Sequence, residues 1–213
     1  MAATIVPIVE GQGEVKAVQS MIYRVLHERL EVFDIQVSKP KRLKRNQVLA
    51  ELPRFLEYAA SQPGCGAIII LMDADDDCPR DLACAISTAA AAAGSAYPVA
   101  VVCPNTEYEA WFIASIESIR GQPIGYRQVV VRADAECPED LESIRGAKGW
   151  LSRQMPDRMV YKPTQDQEPL THLIDLDLAE ERSRSFERFC HAVGELVAAI
   201  RSGDSGTTPG CAD

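Results

Sequence analysis

The sequence predicts an α/β fold: a mostly parallel sheet with helices on both faces. Three observations predict it. The first is Ala67-Ile-Ile-Ile-Leu-Met72, an apolar run preceded by Gly64 and Gly66 and followed by Pro79. Such a run reads as a strand buried on both faces, which suits the middle of a parallel sheet. The second is repetition, because strand-like and helical patterns alternate four times, and parallel strands joined by crossover helices satisfy that order. The third is how the runs end. Glu10 closes the first and Asp73-Ala-Asp75-Asp76-Asp77 follows the third, which puts acids at the sheet edge where open α/β sheets bind ligands.

Bulk properties agree. With 213 residues, 46% hydrophobic and 25% charged, the chain can bury a real core. A net charge of -9 excludes a generally basic surface but leaves room for a local basic groove. No apolar stretch reaches membrane length and the N-terminus lacks a signal-peptide pattern, so a cytoplasmic protein without membrane contact is expected. The seven cysteines form no Cys-x-x-Cys pair and are odd in number. Neither zinc spacing nor a disulfide framework is visible, and reduced thiols are expected, with Cys84, Cys103 and Cys190 as small core residues.

Taken in order, Thr4 to Glu10 is a short β-branched strand, and Pro7 argues for a place at or near an edge. Gly11-Gln-Gly13 turns the chain into a helix from about Glu14 to Leu30, with Val15, Val18, Ile22, Val25 and Leu26 on one face. Glu10 calls for a partner at the sheet edge; Glu14 reads equally as a ligand or as an acid favoured by the helix dipole. Phe33 to Ser38 alternates as a second strand. The run from Lys39 to Arg45 then carries Lys41, Arg42, Lys44 and Arg45, and it reads equally as a solvated loop or as a polyphosphate contact.

A helix from about Gln47 to Ala60, interrupted or restarted at Pro53, leads to the Ala67 strand. If extended geometry persists beyond it, Asp73 and Asp75 point the same way. Two such carboxylates invite Mg²⁺ or Mn²⁺ between them. Asp76 and Asp77 read as well as helix-start residues before Pro79. A helix from Arg80 to Ala93 and a strand from Pro98 to Cys103 complete the alternation. Glu109 follows in a first helical turn, as a further ligand or a surface acid, with Trp111 and Phe112 in the core. Beyond Gly121 the pattern weakens to a short strand at 128–131 and a helix at 144–155, with Lys148 and Lys162 as isolated cations. A long amphipathic helix spans 178–200. The organisation expected is a metal-binding core at 1–120, a mixed helical extension at 121–201 packed on it, and a disordered tail at 202–213.

Val9-Glu10-Gly11-x-x-Glu14 followed by Asp73-x-Asp75 resembles the Toprim domain of topoisomerases, bacterial primases and nucleases of the overcoming-lysogenisation-defect type. The resemblance covers about residues 4 to 115. It implies a Rossmann-like fold with an Mg²⁺-binding acidic site, on which Glu10, Asp73 and Asp75 are the matching residues. Asp77 matches a third acid of an extended pattern, and Glu14 the helix-opening acid of the nuclease branch. Asn105-Thr-Glu-Tyr-Glu109-Ala-Trp-Phe112, Lys162-Pro-Thr-Gln-Asp166-Gln, Leu170-Thr-x-x-Ile-Asp175 and Arg182-Ser-Arg-Ser-Phe186 are similar to a bacterial family of stand-alone Toprim-like proteins, often encoded beside ATPases.

The function expected is a Mg²⁺- or Mn²⁺-dependent nuclease, a hydrolase acting on DNA or RNA. Glu10, Asp73 and Asp75 would be catalytic, with Asp77, Glu14 and Glu109 adding to the metal set. Lys41, Arg42, Lys44, Arg45, Lys148 and Lys162 would contact nucleic acid. The resemblance adds an ATPase partner and a role in defence against phage or mobile elements. The competing expectation is a non-catalytic regulatory module that docks to a partner through Trp111 and the C-terminal helix. A receiver-like phosphoryl-transfer protein ranks last, because the acids follow the third strand rather than the first. No Gly-x-x-x-x-Gly-Lys-Ser/Thr motif or zinc ribbon supports a topoisomerase or primase.

Overall fold

The computed structural model describes residues 2–203. Its centre is a wholly parallel sheet of β1 (Thr4–Val9), β2 (Gln36–Val37), β3 (Lys41–Arg42), β4 (Cys65–Leu71) and β5 (Val99–Val102). The order is β2-β1-β4-β5, with β3 continuing beside β1 where β2 ends. The α/β architecture with helices on both faces is as the alternation predicts. Three details refine or correct it.

The first sharpens the expectation for Pro7: β1 lies near an edge, as expected, but one strand in from it, with the short β2 and β3 outside it. Ser38 N–H bonds the Ile5 carbonyl at 3.0 Å and Leu43 N–H bonds that of Val9 at 2.8 Å. Odd-numbered residues of β1 therefore face the β2–β3 side, and Pro7 falls opposite the break between those short strands. Its missing N–H meets no acceptor that needs it. The second is that the basic run is not all loop, because Lys41 and Arg42 form β3. The third is that the helix after it runs unbroken through Pro53 as α2 (Val48–Ala60). Pro53 sits in its second turn, and Leu49, whose carbonyl loses a donor, is exposed.

Alternation sorts the apolar side chains of the sheet into two clusters. Val6, Ile8, Ile68, Ile70, Val99 and Val101 face α2 and α3 (Pro79–Ala92). Ile5, Val9, Ile69, Leu71, Ala100 and Val102 face the other way, onto α1 (Glu14–Arg24) and the C-terminal helices. Alpha-helical bonding in α1 gives way to one π turn over Val25–Arg29.

After β5 come α4 (Ala110–Ala114) and α5 (Ile116–Ile119), then an antiparallel pair, β6 (Pro123–Ile124) and β7 (Val129–Val130). The chain continues through α6 (Ala147–Arg153), α7 (Pro163–Leu173), α8 (Leu176–Arg182) and α9 (Arg184–Ser202). The single helix expected over 178–200 is thus two. Ser183 ends α8 in extended backbone and its side chain accepts a hydrogen bond from Phe186 N–H, starting α9 afresh. One buried cluster includes β1, β4, Trp111, Phe186, Phe189 and Leu196, so residues after 120 cover one face of the sheet. Trp111 is fully buried, its indole N–H on Ser185 Oγ at 3.0 Å. It offers no docking surface.

Cys65, Cys78, Cys103, Cys137 and Cys190 are free thiols. Cys103 and Cys190 are buried as expected, whereas Cys84 is only half-buried and is disulfide-bonded rather than reduced. Among the described residues no helix is long and apolar enough to cross a membrane. Of the tail expected at 202–213, Ser202 is instead the last residue of α9 and Gly203 caps it; positions 204–213 lie outside the described residues.

Candidate active site

Glu10 and Asp73 leave the C-terminal ends of neighbouring strands, β1 and β4, and Glu109 lies just before α4, after β5. A parallel sheet delivers all its strand exits to one edge, so acids far apart in sequence converge there. Glu14 reaches the same place from the first turn of α1. Its Oε2 accepts Glu10 N–H at 3.2 Å. Burial drives the Glu14 carboxyl up to about 7; the Gly11 and Glu10 amides oppose the shift, while Glu109 and Glu10 add to it.

The two turn glycines are required by this packing. A Cβ on Gly11 would stand 2.4 Å from Glu14 Oε1, and one on Gly13 would stand 2.1 Å from Gln167 Oε1 and 2.7 Å from the Pro163 carbonyl. The turn is therefore small because a carboxylate fills one side of it and α7 the other.

Asp73 is the buried member of its loop. Its Oδ1 accepts Tyr108 N–H at 2.8 Å, and its carbonyl accepts from Arg45. Burial holds its carboxyl well above the usual range, with Glu14 and Glu109 adding repulsion and Lys148 and the Tyr108 amide opposing. Glu109 is wholly buried. Its Oε1 accepts from Tyr161 OH at 2.8 Å and Gln167 Nε2 at 3.4 Å. Burial raises its pKa against the pull of Lys148 and the Tyr161 hydroxyl. Glu10 is half-buried and shifted upward by burial and by Asp75, and its Oε2 is buried without a hydrogen-bond partner.

One cation answers these acids. Lys148 Nζ lies 2.8 Å from Glu107 Oε1, 3.2 Å from Glu109 Oε2 and 3.7 Å from Asp73 Oδ2. Burial works against its charge, but Glu109, Asp73 and Glu107 outweigh that and raise its pKa.

Asp75 does not join Asp73. The backbone ladder persists to Ala74, whose N–H bonds the Pro104 carbonyl at 3.2 Å, and then Asp75 turns into the left-handed region with φ 49°. That turn breaks the same-side alternation expected for the pair and sends Asp75 to the surface. Arg45 takes it at 3.2 Å and also pairs with Asp77.

The other expected cations are placed as follows. Arg42 reaches Gln12 Oε1 at 3.0 Å and the Glu10 carbonyl at 3.3 Å, and Lys41 lies 4.7 Å over the Tyr58 ring. Lys44 and Lys162 are exposed. Arg45 and Lys148 are thus engaged with carboxylates of the site itself. Sequence reasoning missed Glu107, Tyr161 and Gln167. The same sheet-edge rule would have found Glu107, two residues before Glu109, but nothing local marks the other two.

The donors suit a hard divalent cation in type: all are oxygens, several are buried with raised pKa values, and Glu10 Oε2 is orphaned. Among the described residues, however, no three His, Cys, Asp or Glu side chains stand close enough to hold one together. Lys148 occupies the space between Asp73, Glu107 and Glu109 instead.

Residues 9–194 match the family model described as Domain of unknown function (DUF4276). The chain belongs to that family. The matched span runs from the end of β1 into α9, so it contains every acid of the site. No curated protein and no solved structure matches the chain.

Proposed function

We propose that this protein is a divalent-metal-dependent phosphodiesterase of Toprim-like type acting on nucleic acid. One observation carries the reading. Glu10, Glu14, Asp73 and Glu109 crowd one sheet edge with their pKa values raised by burial and by one another, while Glu10 Oε2 has no partner. Four such acids at one sheet edge, answered by the single lysine Lys148, are the kind of cluster that marks a functional site.

Asp73, with Glu10, Glu14 or Glu109, would hold Mg²⁺ or Mn²⁺, which supplies a Lewis acid for the scissile phosphate. The remaining roles belong to the chain. Tyr108 N–H fixes the Asp73 carboxylate, and Tyr161 with Gln167 fixes that of Glu109. Glu10, with a free buried oxygen and a raised pKa, is suited to accept a proton from the attacking water. Lys148 neutralises the cluster and lies within reach of a phosphate oxygen placed there.

The test uses the full chain with Mn²⁺ and end-labelled DNA and RNA. Cleavage that disappears in Asp73→Asn, with an unchanged melting curve, supports the reading. Equal cleavage by that variant sinks it. A second reading draws on the Lys148 contacts: a non-catalytic docking module whose acids are already neutralised by a lysine. It requires that Mn²⁺ bind no more tightly to the wild type than to Asp73→Asn, which calorimetry measures. ATPase association and a defence role rest on the family resemblance alone.

A further inference from the structure

Of the cations expected to hold nucleic acid, Arg45 and Lys148 are spent on the acidic site, yet a second set elsewhere is not. Beside the open edge of β5 lies a groove of about 660 Å³, walled by the N-terminal ends of α3 and α9. Arg184, Arg188 and His191 line it from α9 at positions i, i+4 and i+7, which share one helix face. Arg80 lines it from α3. Arg80, Arg184 and His191 form no ion pair among the described residues. Arg188 gives Nη1 to Glu195 at 2.8 Å and keeps Nε and Nη2 buried without an acceptor. Leaving guanidinium N–H groups unpaired is costly unless something else answers them.

The groove is joined to the acidic site. Cys78 lines it one residue after Asp77, and Asn105 lines it in the loop that leads to Glu107 and Glu109. Asn105 N–H bonds Ser185 Oγ at 3.3 Å, which ties that loop to the first turn of α9. Of the acids in the groove wall, Glu142 is held by the Asn105 side chain, and Glu187 stands exposed in the first turn of α9. The α3 N-terminus has no side-chain cap, so its first amides add positive potential on the same wall.

We infer that this groove holds the phosphodiester backbone of a single nucleic-acid strand and leads it to the acidic edge. From Arg184 to His191 the helix rises about 10 Å, so its cations span more than one backbone phosphate of a strand laid along it. A protein of net charge -9 repels polyanions over most of its surface. A row of cations beside its acidic edge, with Arg80 and Arg184 free of ion pairs among the described residues, is then a favoured route by which a strand approaches. The purpose of the groove rests on the phosphodiesterase reading; its occupancy does not.

The experiment measures anisotropy of fluorescein-labelled oligothymidine and oligouridine with the full chain in EDTA, so that cleavage plays no part. Arg80→Ala/Arg184→Ala, both exposed, should weaken binding about tenfold or more and make the salt dependence shallower by about 1.4 in log–log slope. Lys41→Ala/Lys44→Ala should change little. Tighter binding of the RNA or the DNA probe identifies the strand. Three results would overturn the inference: no binding of either probe by folded wild type, equal binding by the arginine variant, or equal displacement by polyglutamate. Groove-dependent binding without any metal-dependent cleavage would retain the groove and remove the nuclease.

Discussion

Asp73 and Asp75 are two residues apart in one loop, and they live in opposite electrostatic worlds. Asp73 is buried, held by a backbone amide and crowded by Glu14 and Glu109, and its pKa is pushed well up. Asp75, turned outward by one left-handed residue, is exposed beside Asp77 and tied to Arg45. The contrast shows that the charge of an acid is decided less by its type than by the direction in which its backbone leaves the sheet. Inner acids share one lysine, Lys148, among several buried carboxyls; the outer acids pair with Arg45 at the surface.

The sharpest way to break that contrast is metal binding. Calorimetry should show Mn²⁺ binding by the wild type that falls below detection in Asp73→Asn, whereas Asp75→Asn loses about tenfold at most, as befits a residue outside the cluster. Reversed sensitivities would place the centre in the outer pair.

Next in size is the pH dependence of the metal-free protein. Glu14 titrates at about 7 when folded against an ordinary value of 4.5. Between those values the folded chain keeps a proton that the unfolded chain has released, so stability falls as pH rises across the window. The shift corresponds to about 3 kcal/mol. Urea unfolding in EDTA should show that decline, and Glu14→Gln should flatten it. An unchanged slope would mean that burial does not hold the Glu14 carboxyl protonated through this window.

A smaller effect is expected at Lys148, whose side chain is 40% exposed and therefore partly screened. Lys148→Met should cost about 1–2 kcal/mol at pH 8 in EDTA. Added Mn²⁺ should restore more of the melting temperature in the variant than it adds to the wild type. Destabilisation that metal leaves untouched would reduce the lysine to ordinary packing. The smallest change belongs to the outer pair: Asp77→Ala, at a side chain 66% exposed, should shift stability by less than about 1 kcal/mol, because exposed ion pairs contribute little.

Much of this was legible before any coordinates. The apolar run at Ala67 announced a central parallel strand, and the acids at Glu10 and Asp73 announced a loaded sheet edge. Trp111 and Phe112 were legible as core, and both are fully buried; the competing docking face drawn through Trp111 falls with that burial. The fate of the basic run was not legible. Its residue types predict attraction to phosphate, but Arg45 found Asp75 and Asp77, and Arg42 found Gln12.

What the sequence determines by itself is therefore local and periodic: which segments alternate as strands, which repeat as helices, and that acids stand at strand exits. Those follow from side-chain spacing along the chain. What only the tertiary structure decides is which charges meet. Glu14 faces Asp73, Tyr161 holds Glu109, Lys148 fills the space between the acids, and Arg184 and Arg188 are left facing a groove. Charges separated by dozens of residues interact through distance and burial, and both are properties of the packed chain rather than of any stretch of it.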